Sequence, residues 1–256
     1  MENDMHGHGD CHHESHDSSG RAPIQVGLIV APGCFIADVI GVHFVFDLLD
    51  VFPDLPDVQL HLIWKTPEPV NTYPSWRTVP TTTFADCPDL DVLAVGATMP
   101  GTIADPEMLA FVRRQAETAK AVIGICADSL VLGGAGLLEG RKATASFPII
   151  DALPGVGAHP VTGGAVVRDG KFLTAGPVTG PFEAALQALS MLYGEDAARR
   201  IELTLEYLPR PVFGTGSPER AGPEMTEKVT GIVAPLSSAL GAASAAAYQD
   251  HVSAVA

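Results

Sequence analysis

Ala121-Val-Ile-Gly-Ile-Cys126-Ala-Asp128-Ser129-Leu-Val-Leu-Gly-Gly-Ala-Gly-Leu-Leu138 is the stretch on which the reading of this chain turns. Apolar, largely β-prone residues run into a cysteine, and beyond it Leu130, Val131, Gly134, Leu137 and Leu138 recur at helical intervals. Cys126 therefore falls on the turn between a buried strand and a helix. An enzyme places a nucleophile at such a turn, because the strand end is rigid and the N–H groups of the following helix favour a thiolate over a thiol. The alternative is a buried structural cysteine, since free Cys packs like a small hydrophobe.

Working outward, Ile24 to Val30 reads as a first buried strand, Ala31-Pro32-Gly33 as a turn, and a helix begins at Asp38 with Val42, Val45, Phe46 and Leu49 on one face. Val58 to Trp64 is a second strand, and Lys65 to Val79, with three prolines, is a loop. Asp91 to Val95 is a third strand that leads into Gly96-Ala97-Thr98-Met99-Pro100-Gly101, and Asp105 and Pro106 open a helix that runs to about Lys120. Downstream, Lys142 to Phe147 is extended, Ala165 to Ala175 is a hairpin with Asp169-Gly170 as its turn, and helices span Thr179 to Tyr193 and Glu195 to Tyr207. The Ala-rich last forty residues predict a helix packed on a partner or on the core. Strands alternating with helices predict an α/β three-layer sandwich, a mostly parallel central sheet with helices on both faces. Cys126 then stands at the C-terminal edge of the sheet, where ligands bind.

Composition narrows the function. A chain of 256 residues, 46% of them hydrophobic, supplies one domain over 23–256. Residues 1–22 form a His-rich tail whose first twenty positions hold five His and five acids without apolar period, so it is expected to be disordered. Imidazoles bind Zn, Ni or Cu, yet the spacing there matches no closed metal site, and no metal or other cofactor is expected. A net charge of -15 argues against nucleic acid and anionic membrane as partners. There is no unbroken apolar run of membrane-spanning length and no basic-then-apolar leader, which predicts a soluble cytoplasmic protein. Cys11, Cys34, Cys87 and Cys126 lie far apart and read as free thiols.

The block from Cys126 to Thr144 resembles the nucleophile elbow of the ThiJ/PfpI superfamily, which has a flavodoxin-like fold related to class I glutamine amidotransferases, and within it that of the isonitrile hydratases. Pro32 to Gly41, Gly96 to Gly101, Lys142 to Phe147 and Pro209 to Ser217 are similar to further segments, so the likeness spans most of residues 24–217. It implies a homodimeric, cofactor-free enzyme that adds water to an isonitrile carbon to give an N-substituted formamide. Cys126 would be the nucleophile and Asp38 the acid/base, the latter a residue that would otherwise read as a helix N-cap. Gly96, Ala97 and Thr98 would lie in the loop that offers N–H groups to developing negative charge. Ala127, Ser146, Phe147 and Gly176 complete the matched substrate-binding positions, Glu183 stands where an acid is usual, and Trp76 and Tyr73 are candidate walls for a small apolar substrate.

The chain departs from that pattern at the elbow. Ala127 stands where the hydratases have threonine, Asp128 where they have glycine, and Ser146 where many relatives have histidine, so a Cys-His protease mechanism is not supported. Asp38 and Asp128 together form a carboxylate pair that, if close, holds one member protonated. Two alternatives follow: an acid/base lyase, isomerase or cyclase working on an apolar biosynthetic intermediate through Asp38 and Asp128, and a redox sensor built on Cys126.

Overall fold

The computed structural model describes residues 22–96, 98–163 and 166–255. In chain order the elements are β1 (Ile24–Ile29), α1 (Ile36–Asp47), β2 (Val58–Trp64), β3 (Val70–Thr72), β4 (Trp76–Thr78), β5 (Thr82–Thr83), β6 (Val92–Val95), α2 (Pro100–Ile103), α3 (Pro106–Thr118), β7 (Ala121–Ile125), α4 (Ser129–Gly134), β8 (Lys142–Ala143), β9 (His159–Pro160), β10 (Val166–Asp169), β11 (Phe172–Ala175), α5 (Gly180–Tyr193), α6 (Glu195–Thr204), α7 (Pro218–Ala221) and α8 (Pro223–Val255). Short 3-10 turns occupy Cys126–Asp128 and Ile150–Val156.

One sheet in the order β10-β11-β7-β6-β1-β2-β5 forms the middle layer, parallel throughout except for β10 against β11. Strands β6 and β7 are wholly buried because helices cover both faces, which is why they carry unbroken apolar runs instead of alternation. From β1 the chain crosses to β2 on one side, and it later returns to β6 on the other, so the strand order reverses between β1 and β6. In open α/β sheets the crevice at such a reversal is where ligands bind. The register puts Ile29 opposite Val95 and Val95 opposite Gly124, so β1, β6 and β7 end level and their loops meet.

Several boundaries differ from the sequence reading. Helix α1 starts at Ile36, two residues before Asp38, and α4 ends at Gly134. The hairpin turn consists of Gly170 and Lys171, because Asp169 still pairs with Phe172. Residues 65–79 are more than a loop: β3 and β4 pair as a hairpin whose backbone bonds to the segment after β1 through Gly33 N–H to Asn71 O, Tyr73 N–H to Cys34 O and Ile36 N–H to Tyr73 O. That hairpin buttresses the lead-in to α1.

The Ala-rich tail is the single helix α8. Leu240, Ser244 and Tyr248 are buried on it, and close approach at Gly134, Gly157 and Gly241 seats its C-terminal half on α4 and the Ile150–Val156 turn. Its uncharged run from Val229 to Gln249 makes it apolar and long enough to cross a bilayer by length and composition, a feature that a search for unbroken apolar runs passes over because Ser, Thr and Gly interrupt it. Toward its N-terminal end Met225 and Ile232 are exposed.

Candidate active site

The turn after β7 is strained where the chemistry sits. Cys126 has φ 60, a left-handed backbone that few non-glycine residues adopt and that is found disproportionately at functional sites. Behind it, a side chain on Gly124 would come within 2.8 Å of Leu132 and 3.1 Å of the Ser129 Cα, so the missing Cβ lets α4 fold back tightly and turn Cys126 outward. Cys126 is partly exposed, while Ala127 and Asp128 beneath it are buried.

Asp38 reaches the same edge from α1. It is nearly fully buried and does not cap the helix: Phe35 occupies the N-cap position, and Asp38 Oδ1 accepts a 3.3 Å hydrogen bond from the Val178 N–H. Val178 is itself left-handed at φ 63, strain of about 1–3 kcal/mol for a residue of this kind, and that twist follows Gly176 and aims its N–H at the carboxylate. Gly96 closes the arrangement. A Cβ there would lie 3.1 Å from Asp38 Cβ, so any larger residue at this place would have to push Asp38 aside.

Asp128 faces inward. Its Oδ1 accepts from both the Thr98 N–H (2.9 Å) and the Thr98 hydroxyl (3.1 Å), its side chain makes no helix-capping bond, and its Oδ2 is buried without a hydrogen-bond partner among the described residues. Burial pushes this carboxyl well above the usual range, the Thr98 bonds oppose that, and the charge of Asp38 reinforces it. The charge of Asp38 thus acts on Asp128 across the sheet edge.

The thiol is pushed up too. Burial, then the charge of Asp38, and last that of Asp128 raise Cys126 to about 12, while bonds to it from the Ser146 hydroxyl and the Ala127 N–H pull the other way. Burial and the two carboxyl groups thus act against the thiolate that the start of the helix is expected to favour. Ser146 is buried beside the turn, and its backbone N–H donates to Cys126 O at 3.3 Å. Cys34, fully buried in the loop after β1, is likewise raised to about 12 by burial and then by Asp128 and Asp38, so both thiols and both acids share one electrostatic neighbourhood.

The remaining predicted residues are spread more widely. Thr98 is buried and engaged with Asp128, and Ala97 lies outside the described residues. Phe147 is partly exposed beside Ser146; Trp76 on β4 is more than half exposed, and Tyr73 packs on Phe35 with ring centroids 4.6 Å apart. Glu183 accepts from the Tyr207 hydroxyl at 2.8 Å, a tie between α5 and the residues after α6. Cys34 and Val178 were not foreseen; no local signal marks a valine whose N–H serves an aspartate 140 positions away. Among the described residues no group of His, Cys, Asp and Glu could hold a metal ion.

Comparison with known proteins places this geometry. The DJ-1/PfpI family profile matches residues 43–191. The isonitrile hydratase of Pseudomonas putida is 41% identical over 214 residues, 83% of this chain and 91% of that protein. Among solved structures, a ThiJ/PfpI family protein from Pseudomonas syringae superposes with a TM-score of 0.80 at 32% identity, covering 87% of this chain and 91% of its own. Drosophila melanogaster DJ-1beta shares the fold at a TM-score of 0.65 and 18% identity, over 73% of this chain and all of its own.

Proposed function

Because the chain belongs to the DJ-1/PfpI family, we propose that it is a cofactor-independent isonitrile hydratase, which adds water to the terminal carbon of a small, largely apolar isonitrile to give an N-substituted formamide. The observation that carries this reading is a partly exposed cysteine on a strained strand-to-helix turn, electrostatically coupled to a buried aspartate from the first helix. A soft sulfur suits a soft carbon electrophile, and a carboxylate relays the proton. In the first step the Cys126 sulfur bonds to the terminal carbon, its proton passes by way of Asp38 to that same carbon, and a thioimidate results. Water then adds to the imidate carbon, the carbon–sulfur bond breaks, and the formamide leaves with the thiol restored. The Ser146 hydroxyl and the Ala127 N–H, the two groups that favour the charged form of the sulfur, steady it as charge develops there.

The test is formamide production from simple alkyl and aryl isonitriles, with intact-mass analysis of rapidly quenched enzyme. A substrate-sized adduct on Cys126, absent from Cys126→Ala together with turnover, supports the reading. Full turnover by Cys126→Ala would sink it.

A second reading draws on the thiol's height near pH 12: a sulfur held as thiol leaves room for a lyase, isomerase or cyclase in which Asp38 and Asp128 do the proton work and Cys126 only positions. Survival of activity in Cys126→Ala on such a substrate is its signature. The same raised thiol disfavours a redox-sensor role, since peroxide attacks thiolates, and a Cys126 that stays unoxidised at low peroxide would agree. Sedimentation of the purified chain tests the homodimer that the family resemblance implies.

A further inference from the structure

Among the described residues, left-handed backbone outside glycine occurs at three places, Cys126, Val178 and Glu206. The first carries the sulfur, and the second gives its N–H to Asp38. Glu206 lies in the turn that ends α6, where its twist, with the Tyr207 N–H bonded back to Glu202 O at 3.1 Å, sends the Tyr207 side chain onto the first turn of α5. There the Tyr207 hydroxyl donates to Glu183 Oε1 at 2.8 Å, with the Thr179 carbonyl oxygen 3.3 Å away, and its ring stacks on Phe182 with centroids 5.8 Å apart. Burial, and then the bond to Glu183, raise the phenol, so the hydroxyl stays a donor.

The turn that these contacts grip is the one that serves Asp38. The Thr179 N–H donates to Pro177 O at 2.8 Å, which closes a three-residue turn with Val178 at its centre at φ 63, a rare and strained form for a branched side chain. Val178 is exposed, so packing of its own side chain does little to hold it. Such a backbone persists only where its surroundings over-determine it. At the strand end, Gly180 packs on Ala175 so closely that a Cβ on it would lie 2.9 Å from Ala175 Cβ. Toward α1, Pro181 and Phe182 sit on Gly41, where a Cβ would come within 2.7 Å of Pro181 and 3.2 Å of Phe182. Gly41 is one helical turn past Asp38, so the start of α5 is seated on the helix that carries the acid. Tyr207 closes the arrangement from outside.

We propose that Tyr207 and Glu183 are a positioning pair for Asp38: they lock the first turn of α5, and with it the strained turn that holds the Val178 N–H on the Asp38 carboxylate. The inference rests on Asp38 as the acid/base of the proposed reaction. Both residues act through Val178 and not on the substrate. Without the hydroxyl bond, Val178 relaxes toward ordinary backbone, its N–H leaves Oδ1, and the carboxylate is less firmly aimed.

The sharpest test exchanges the residue at the centre of the turn. Glycine takes left-handed backbone without strain, so Val178→Gly removes the need for the clamp. In the isonitrile assay Tyr207→Phe, which keeps the ring stack and deletes the hydroxyl, should lower kcat about 10-fold or more with KM changed less than about twofold. Made on top of Val178→Gly, the same change should cost less than about threefold, and equal costs in the two backgrounds overturn the proposal. Glu183→Gln keeps an acceptor for the hydroxyl and should stay within about threefold of wild type, whereas Glu183→Ala should lose as much as Tyr207→Phe. A readout without turnover separates this proposal from the hydratase reading. In protein isotope-labelled at valine nitrogen, the Val178 amide proton, assigned by its loss in Val178→Ala, should shift upfield and exchange faster with solvent in Tyr207→Phe. An unmoved amide removes the clamp and leaves the hydratase reading intact where wild type makes formamide. A moved amide in a wild type that makes none keeps the clamp and sinks the reaction assigned to Asp38. Should Tyr207→Phe fail to fold, Glu183→Ala against Glu183→Gln decides by the same measurements.

Discussion

Two segments that follow strands at the same sheet edge each carry one cysteine and one aspartate, and the fold puts them to different uses. After β1 come Cys34 and Asp38; after β7 come Cys126 and Asp128. Both thiols are raised to about 12, by burial first and then by the same two carboxyl groups, so acidity does not separate them. Backbone and access do. Cys34 is fully buried and held by the β3-β4 hairpin through the Tyr73 N–H, whereas Cys126 is left-handed and reaches partway into solvent. The aspartates reverse the pattern: on the cysteine-burying loop, Asp38 is the one whose charge is felt by the other three groups, and on the nucleophile's own loop Asp128 is locked inward on Thr98.

The largest effect that would break this comparison is at the cysteines. Cys126→Ala should lower turnover about 10³-fold or more, as loss of a covalent nucleophile does, while Cys34→Ala stays within roughly threefold of wild type. Equal losses in the two variants would mean that exposure and strain are not what distinguish them. Next in size is Gly96→Ala. Its new methyl would stand 3.1 Å from Asp38 Cβ and 3.4 Å from Val39, and a displaced Asp38 should cost about 10- to 100-fold in kcat with a fold that still melts cooperatively.

A smaller effect appears in alkaline stability. The folded thiols hold their protons up to about pH 12, while an unfolded cysteine loses its proton near pH 9, so the native state binds more protons between those values and stability falls as pH rises through that window. Denaturant midpoints should therefore decline above pH 9, and Cys34→Ala should flatten the decline. The smallest is a few degrees in Tm at Asp128. Its raised folded value means that the unfolded chain releases the proton first as pH climbs above the usual carboxyl range, which costs native stability at neutral pH and little in acid. Asp128→Asn should gain more in Tm at pH 7 than at pH 4; an equal change at both would show that the carboxyl is ionised in the folded protein.

The sheet was legible because β6 and β7 are apolar runs and β1 and β2 are mostly apolar segments closed by turn residues, and the elbow because the period changes from strand to helix at Cys126. Short elements were not. The three-residue strands β3 and β4 are too brief for a periodic signal and are hidden among prolines, although their backbone carries the segment that sets Asp38. Side-chain partnerships between loops were out of reach for a different reason: Thr98 and Asp128 are 30 positions apart, and which group a buried carboxyl finds depends on strand register, which pattern alone does not supply. The departure Ser146 could be read as a missing imidazole, but the bond from its backbone N–H to Cys126 O required coordinates.

The left-handed backbone at residue 126 also acts as a filter on descent. Valine, isoleucine and threonine are bulky at Cβ and strained in that conformation, as Val178 is, so slim side chains such as serine, alanine, asparagine or glycine would fit residue 126 at the least cost. Retuning of this pocket then falls on what surrounds the pivot, and Ala127, Asp128 and Ser146 are the neighbours that act on its sulfur.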